Sequence, residues 1–217
     1  MKLLFACPSY GPIDPQALRS QRAAIMHASY HGHVEWVGDL SPDRCKFDAA
    51  RNVIAKGAIE TEADAVFWVD SDVLLPVDGI SRLVAEQKEF ITGIYCQRYP
   101  PHYPLIANFD PTKRTFSWFI EWPENVVAPI DGCGFGCVLT STRLLRLMEP
   151  PWFTFEQYSE DFDFCLRAAK AGVQLYVHTG VCCGHLADPK PITVTDFETA
   201  RDAGGLRDGS IRSGSAA

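Results

Sequence analysis

No stretch of the 217-residue chain offers the run of about 20 apolar residues that a membrane-spanning helix needs. The apolar run at the start, Leu3 to Cys7, is stopped by Pro8, well short of a signal-peptide core. That run is expected to be a first buried strand. A basic excess is also missing: with net charge −7, the chain has no electrostatic footprint for coating nucleic acid. Its eight cysteines include no C-x-x-C pair, so a zinc ribbon or a disulfide framework is not indicated. Reduced thiols and a cytoplasmic location are the expectation. What remains, 47% hydrophobic and 22% charged, is the composition of an ordinary globular domain.

Strand-like and helix-like segments alternate along the first hundred residues. "KLLFACP" and "HVEWVGDL" read as strands, and "PQALRSQRAAIMHASY" between them as a helix. "KFDAARNVIAKGAIETEA" predicts a second helix that buries Ala50, Val53, Ile54 and Ala58. "AVFWVDSD" predicts a third strand covered on both faces, followed by a helix in "PVDGISRLVAEQ" and a strand in "EFITGIYCQR". This alternation predicts an α/β fold with a mostly parallel central sheet flanked by helices. Residues 99–129, rich in proline and aromatics, predict a smaller antiparallel excursion. A glycine-rich turn, strand and helix follow in "PIDGCGFGCVLTSTRLLRL", then a helix in "SEDFDFCLRAAKAG" with Phe162, Cys165, Leu166 and Ala169 on one face. Residues 1–202 are expected to form a single domain and 203–217 a flexible tail.

Three features carry possible chemistry. Asp70 and Asp72 follow a wholly apolar segment, Ala65 to Val69, where an unpaired carboxylate either shifts its pKa or finds a cation. In an extended segment they share a face about 6.6 Å apart, so one divalent cation could satisfy both; the alternative is a turn in which Asp72 caps the next element. In "SEDFDF", Ser159 is a plausible N-cap that puts Glu160 and Asp161 in the first helical turn, where acidic residues also serve the helix itself. His185 stands in "CCGH" just beyond a strand.

Taken together, "ARN", "FWVDSD", "IDGCGFGCVLTSTRLL", "PPWF", "SEDFDFCLRAAKAG" and "GH" resemble the GT-A fold glycosyltransferases, family 2-like enzymes of small bacterial or phage type. The resemblance covers residues 2–187. It implies that the D-x-D binds Mn²⁺ or Mg²⁺ bridging the diphosphate of a nucleotide sugar, a UDP-sugar by family habit. Asp72 would be the direct ligand and His185 would complete the metal shell. Asp70 would touch the metal through water or bind ribose or sugar hydroxyls. Asp161 matches the family's general base in inverting members. Pro8, Tyr10 and Asp39 fall where relatives grip base and ribose, and Arg51 where relatives place a cation or amide near the donor. Gly132, Gly134 and Gly136 would bring backbone close to the sugar, and Trp118, Trp122 and Trp152 are either sugar platforms or core.

A QxxRW-type processivity motif is missing after the E-D helix, so the transfer of one sugar per event is expected rather than polymer synthesis. The acceptor is some hydroxyl, and the acidic balance mildly disfavours one on nucleic acid. Two other readings stand beside this one. A nucleotidyltransferase that makes nucleotide sugars would use an aspartate-bound metal on a similar sheet, but "CPSYGPIDPQ" lacks its glycine- and base-rich phosphate loop. A non-catalytic nucleotide- or carbohydrate-binding module would keep the fold without turnover.

Overall fold

The apolar run that opens the chain forms β1 (Lys2–Ala6), buried from Leu3 onward, and the expected alternation follows it. The computed structural model describes residues 1–31, 34–206 and 210–211. After β1 come α1 (Pro15–His31), β2 (Glu35–Leu40), α2 (Phe47–Glu60), β3 (Ala65–Val69), the short β4 (Val73–Leu74), α3 (Gly79–Ala85) and β5 (Phe90–Ile94). The proline- and aromatic-rich part holds β6 (Ile106–Asp110), β7 (Thr115–Trp118) and β8 (Val127–Ile130). Then follow β9 (Gly132–Cys133), β10 (Cys137–Ser141), α4 (Thr142–Leu147), α5 (Glu160–Lys170), β11 (Leu175–Cys182), β12 (Gly184–His185), α6 (Val194–Asp202) and β13 (Ser210–Ile211).

The main sheet runs β2-β1-β3-β10-β5-β11-β8. Strands β2, β1, β3, β5 and β11 point one way; β10 and β8 run against their neighbours. The predicted parallel character therefore holds for five of the seven strands. The antiparallel β10 slots between β3 and β5, a placement that its apolar sequence did not reveal. The expected antiparallel excursion is a second sheet, β13-β7-β6-β9. Of the expected tail, Leu206 packs against a cluster with Phe197 and residues 210–211 pair with β7; residues 207–209 and 212–217 lie outside the described residues.

Every residue of β3 and β5 is buried, which accounts for their unbroken apolar sequence. Phe135 is the hub of one face. Its ring meets Trp68, Phe90, Phe153 and Phe164 edge-on, with centroids 5.0–5.8 Å apart. The indole nitrogen of Trp68 donates to Thr140 Oγ1 at 2.8 Å, which satisfies its one buried polar group.

Two helical faces differ from expectation. Helix α2 buries Ala50, Arg51, Ile54, Ala55 and Ala58, while Val53 is exposed. A 3.6-residue period fits either face, and the partners of Arg51 decide between them. Helix α5 buries Phe162, Phe164, Cys165 and Ala168 and leaves Ala169 outside. Ser159 is its N-cap residue but makes no side-chain cap. Asp163 instead accepts the amides of Glu156, Gln157 and Tyr158 at 2.5, 3.0 and 3.1 Å, tying the incoming loop to the helix. No helix among the described residues is long and apolar enough to cross a membrane.

Because four rings converge on Phe135, Phe135→Ala should cost about 3–5 kcal/mol in urea unfolding. A loss below about 1 kcal/mol would mean that the rings close over the gap and that this hub is not needed.

Candidate active site

At the carboxyl end of β3 the chain leaves the sheet through Asp70 and Asp72, and two elements distant in sequence meet it there. From α1, Gln21 Nε2 donates to the carbonyl of Asp70 at 3.1 Å. From the far end of the chain, β12 pairs antiparallel with β4, matching His185 to Val73, and the amide of Leu186 donates to the carbonyl of Asp72 at 2.8 Å. This ladder brings His185 Nε2 within 3.5 Å of Asp72 Oδ2. The other ring nitrogen, Nδ1, lies 2.8 Å from the carbonyl oxygen of Cys96. A carbonyl can only accept, so Nδ1 carries the proton there, and in the neutral ring Nε2 presents its lone pair to Asp72. Two electron-pair donors that face each other call for a proton or a cation between them. Burial works to raise the Asp72 carboxyl, but when Nε2 carries a proton its hydrogen bond and charge, together with the charge of Arg98, outweigh burial and hold the group below its ordinary value. Arg98 Nη2 is 2.6 Å from the same Oδ2.

A second centre is built around Arg51, which is only 2% exposed. Its Nη2 lies 3.2 Å from Asp70 Oδ1, its Nη1 2.5 Å from Glu160 Oε1, and Nη1 also bonds Asp161 Oδ1. The guanidinium lies 5.3–5.9 Å from the ring centres of Phe47, Phe135 and Phe153. One cation thus serves three carboxylates in a poorly solvated place, so protons are retained. Burial raises Asp70, with Arg51 opposing and Asp72 adding to the rise. Burial likewise raises Glu160 against the pull of Arg51. Asp161 is pushed up to about 8, by burial first and then by Glu160 and Asp70, against the pull of Arg51. Its Oδ2 accepts only a long bond, 3.3 Å, from the amide of Phe135.

The neighbour of Arg51 explains another of the short motifs. Asn52 Oδ1 accepts the amides of Trp152 and Phe153 at 2.8 and 3.1 Å, and its Nδ2 donates to the carbonyl of Phe153 at 2.7 Å. "ARN" therefore fastens "PPWF" and the carboxylates with consecutive side chains.

The glycines of the turn are set by packing. A Cβ on Gly134 would lie 2.2 Å from the Tyr95 hydroxyl, and one on Gly136 2.6 Å from its ring; Gly132 faces Phe116 and Phe162 in the same way. The Tyr95 hydroxyl accepts the amide of Gly136 at 3.0 Å, and its ring meets the His185 ring edge-on at 5.4 Å. Tyr95, Gln21 and Asp163 escaped notice in the sequence, where each is one unremarkable residue at a strand end or within a helix.

Pro8 is buried at the end of β1, while Tyr10 is 72% exposed in the loop beyond it. Asp39, exposed near the end of β2, accepts from Ser41 Oγ at 2.5 Å. The Cys7 thiol is raised to about 12, by burial first and then by Asp70, Asp39 and Asp72, so these three carboxylates share one edge. Trp152 is core, with its indole donating to the carbonyl of Leu145 at 2.7 Å. Trp118 stacks on Tyr103 and Trp122 on Phe197. Among the described residues no three His, Cys, Asp or Glu side chains are grouped to hold a metal ion. Asp72 and His185 form a two-donor set, while Asp70 turns one oxygen to Arg51.

No protein-family model and no curated protein matches the chain. Solved structures match by fold. The crystal structure of A197 from STIV aligns at TM-score 0.54 with 20% identity over 87% of each chain. That of GalNAc-T7 with UDP, GalNAc and Mn²⁺ aligns at TM-score 0.60 with 9% identity. The alignment covers 93% of this chain and 47% of that one, so the chain spans about half of its length. UDP-glucose pyrophosphorylase complexed with UDP-glucose reaches only TM-score 0.49 at 10% identity, too low to bear on the fold. At these identities the likeness is one of fold, and the fold is of the GT-A type.

Arg51→Met would leave one buried and two half-buried carboxylates without their shared counter-ion, a loss of about 3–5 kcal/mol near pH 8. All three have folded-state pKa values above their unfolded ones, and removing Arg51 raises them further. Protonation then favours the folded variant, so the deficit should shrink as pH falls below 8. Urea unfolding of both proteins at several pH values checks this. A deficit that stays constant with pH would contradict the shared-cation account.

Proposed function

We propose that the chain is a glycosyltransferase that takes its sugar from a nucleoside-diphosphate donor, with Mn²⁺ or Mg²⁺ held by Asp72 and His185. One arrangement carries the reading: the facing donors of Asp72 and His185 stand on the same sheet edge as a proton-retaining Asp161. The fold likeness to GalNAc-T7, which was solved with UDP, GalNAc and Mn²⁺, supports a UDP-linked sugar.

Asp72 Oδ2 and His185 Nε2 would be the protein's ligands, and the bond from His185 Nδ1 to the Cys96 carbonyl fixes the ring for that task. Bound there, the cation supplies positive charge to the departing diphosphate. Asp70, with Oδ1 on Arg51, offers its other oxygen to ribose or sugar hydroxyls. Asp161 Oδ2 takes the proton of the acceptor hydroxyl as that oxygen bonds to the anomeric carbon, and the bond from this carbon to the diphosphate oxygen breaks. This single displacement inverts the anomeric centre. Arg51, itself held by Glu160, positions Asp161 by bonding its other oxygen. Pro8 and Tyr10, on the loop after β1, and Asp39, near the end of β2, hold the nucleoside. The acceptor is a hydroxyl compound. The eight free thiols, six of them buried, fit a reducing compartment such as the cytoplasm.

Asp161→Asn should lower turnover about 10²–10⁴-fold while UDP affinity stays within a few-fold. Donor hydrolysis, with water as acceptor, gives a readout that needs no identified acceptor. In the wild-type protein kcat/KM should rise with pH and level off above about 8, because the base works unprotonated. Full activity in Asp161→Asn, or a rate that falls as pH rises to 8, would remove the base from Asp161. Asp72→Ala should abolish the Mn²⁺ dependence of UDP binding in calorimetry; unchanged dependence would move the metal elsewhere.

A further inference from the structure

Arg98 shares an oxygen with the proposed metal pair. Its Nη2 is 2.6 Å from Asp72 Oδ2, the oxygen that His185 Nε2 approaches at 3.5 Å. A divalent cation on that oxygen and a guanidinium at hydrogen-bond distance from it would repel each other. We infer that Arg98 and the divalent cation compete for Asp72, and that the guanidinium released by the cation binds the diphosphate of the donor. The inference rests on the donor-and-metal reading above and adds a residue to it.

The geometry suits a side chain that changes partners on a fixed backbone. Arg98 stands just past the base of a tight excursion after β5. That base is closed by the amide of Gln97 donating to the carbonyl of Tyr103 at 2.9 Å and by the bridge between Cys96 and Pro104. The tip turns back through the amide of His102 donating to the carbonyl of Tyr99 at 2.9 Å. Cys96, two residues before Arg98, also supplies the carbonyl that orients His185. Within this frame the Arg98 side chain is 49% exposed, so leaving Asp72 buries no unpaired charge. Arg51 is the opposite case: it is enclosed, engaged with three carboxylates, and cannot move without exposing them to one another.

Electrostatics supplies the reason for a second cation. The edge that would receive the diphosphate already carries Asp39, Asp70 and Asp72, all felt by the Cys7 thiol. A dication balances part of that charge. A guanidinium adds more, with a planar fork that matches phosphate oxygens.

The test is a pair of titrations on wild type and Arg98→Gln, a half-exposed site where urea unfolding can verify that the variant is folded. Mn²⁺ alone should bind the variant about two- to fivefold more tightly, because a half-exposed ion partner of Asp72 is gone. UDP at saturating Mn²⁺ should bind it about tenfold or more weakly. Arg98 acting as a mere surface ion pair would not move the two affinities in opposite directions. UDP binding that is unchanged, or Mn²⁺ binding that is unchanged or weaker, overturns the inference while leaving the donor reading in place, provided that wild type binds UDP in a Mn²⁺-dependent way. A wild-type protein that shows no Mn²⁺-dependent UDP binding overturns both.

Discussion

A single guanidinium, that of Arg51, holds together the part of the molecule where the chemistry is proposed. Asp70 follows β3, Glu160 and Asp161 open α5, and Arg51 lies on α2 and bonds all three. Without that cation the three carboxylates would repel one another in a place with little water. The next residue, Asn52, secures the loop that leads toward α5, so two adjacent side chains join the first half of the chain to the second. Phe47, Phe135 and Phe153 surround the cation and keep it from water. Two of these rings, Phe135 and Phe153, belong to the core, which therefore tunes the carboxylates. A raised Asp161 is a consequence of this packing and does not need a dedicated partner.

The other half of the site depends on a short piece of backbone pairing. The β12–β4 ladder carries His185 to Asp72 across more than a hundred residues, and the Cys96 carbonyl decides which ring nitrogen faces it. Tyr95 meets the His185 ring edge-on, and the glycines at 134 and 136 leave the space that its ring fills. The His185 ring, Tyr95 and the glycine turn are thus one packed unit.

The alternation of apolar runs made the α/β class and most elements legible, since a strand buried on both faces and an amphipathic helix leave different periods. The carboxylates after β3 stood out because they contradict the apolar segment before them. Partners could not be read. Arg51 bonds residues 19, 109 and 110 positions away, and helical periodicity allowed Val53 to be the buried residue in its neighbourhood. The direction of β10 was equally hidden, because an apolar strand reads the same whichever way it runs. Ser159 looked like the cap of α5, yet Asp163 does the local tying, since three amides of the incoming loop converge on its carboxylate. Gly134 and Gly136 could be seen as a turn, but not as a turn shaped around Tyr95.

The central claim is that this sheet edge binds a nucleoside diphosphate through a divalent cation. Calorimetric titration of UDP, GDP and TDP into the protein, each with and without Mn²⁺, tests it most directly. The account predicts that one diphosphate, UDP in the proposed function, binds in the presence of Mn²⁺ and loses most of its affinity when the ion is chelated. Binding of equal strength with and without the ion, or no binding of any diphosphate at millimolar concentration, would contradict it.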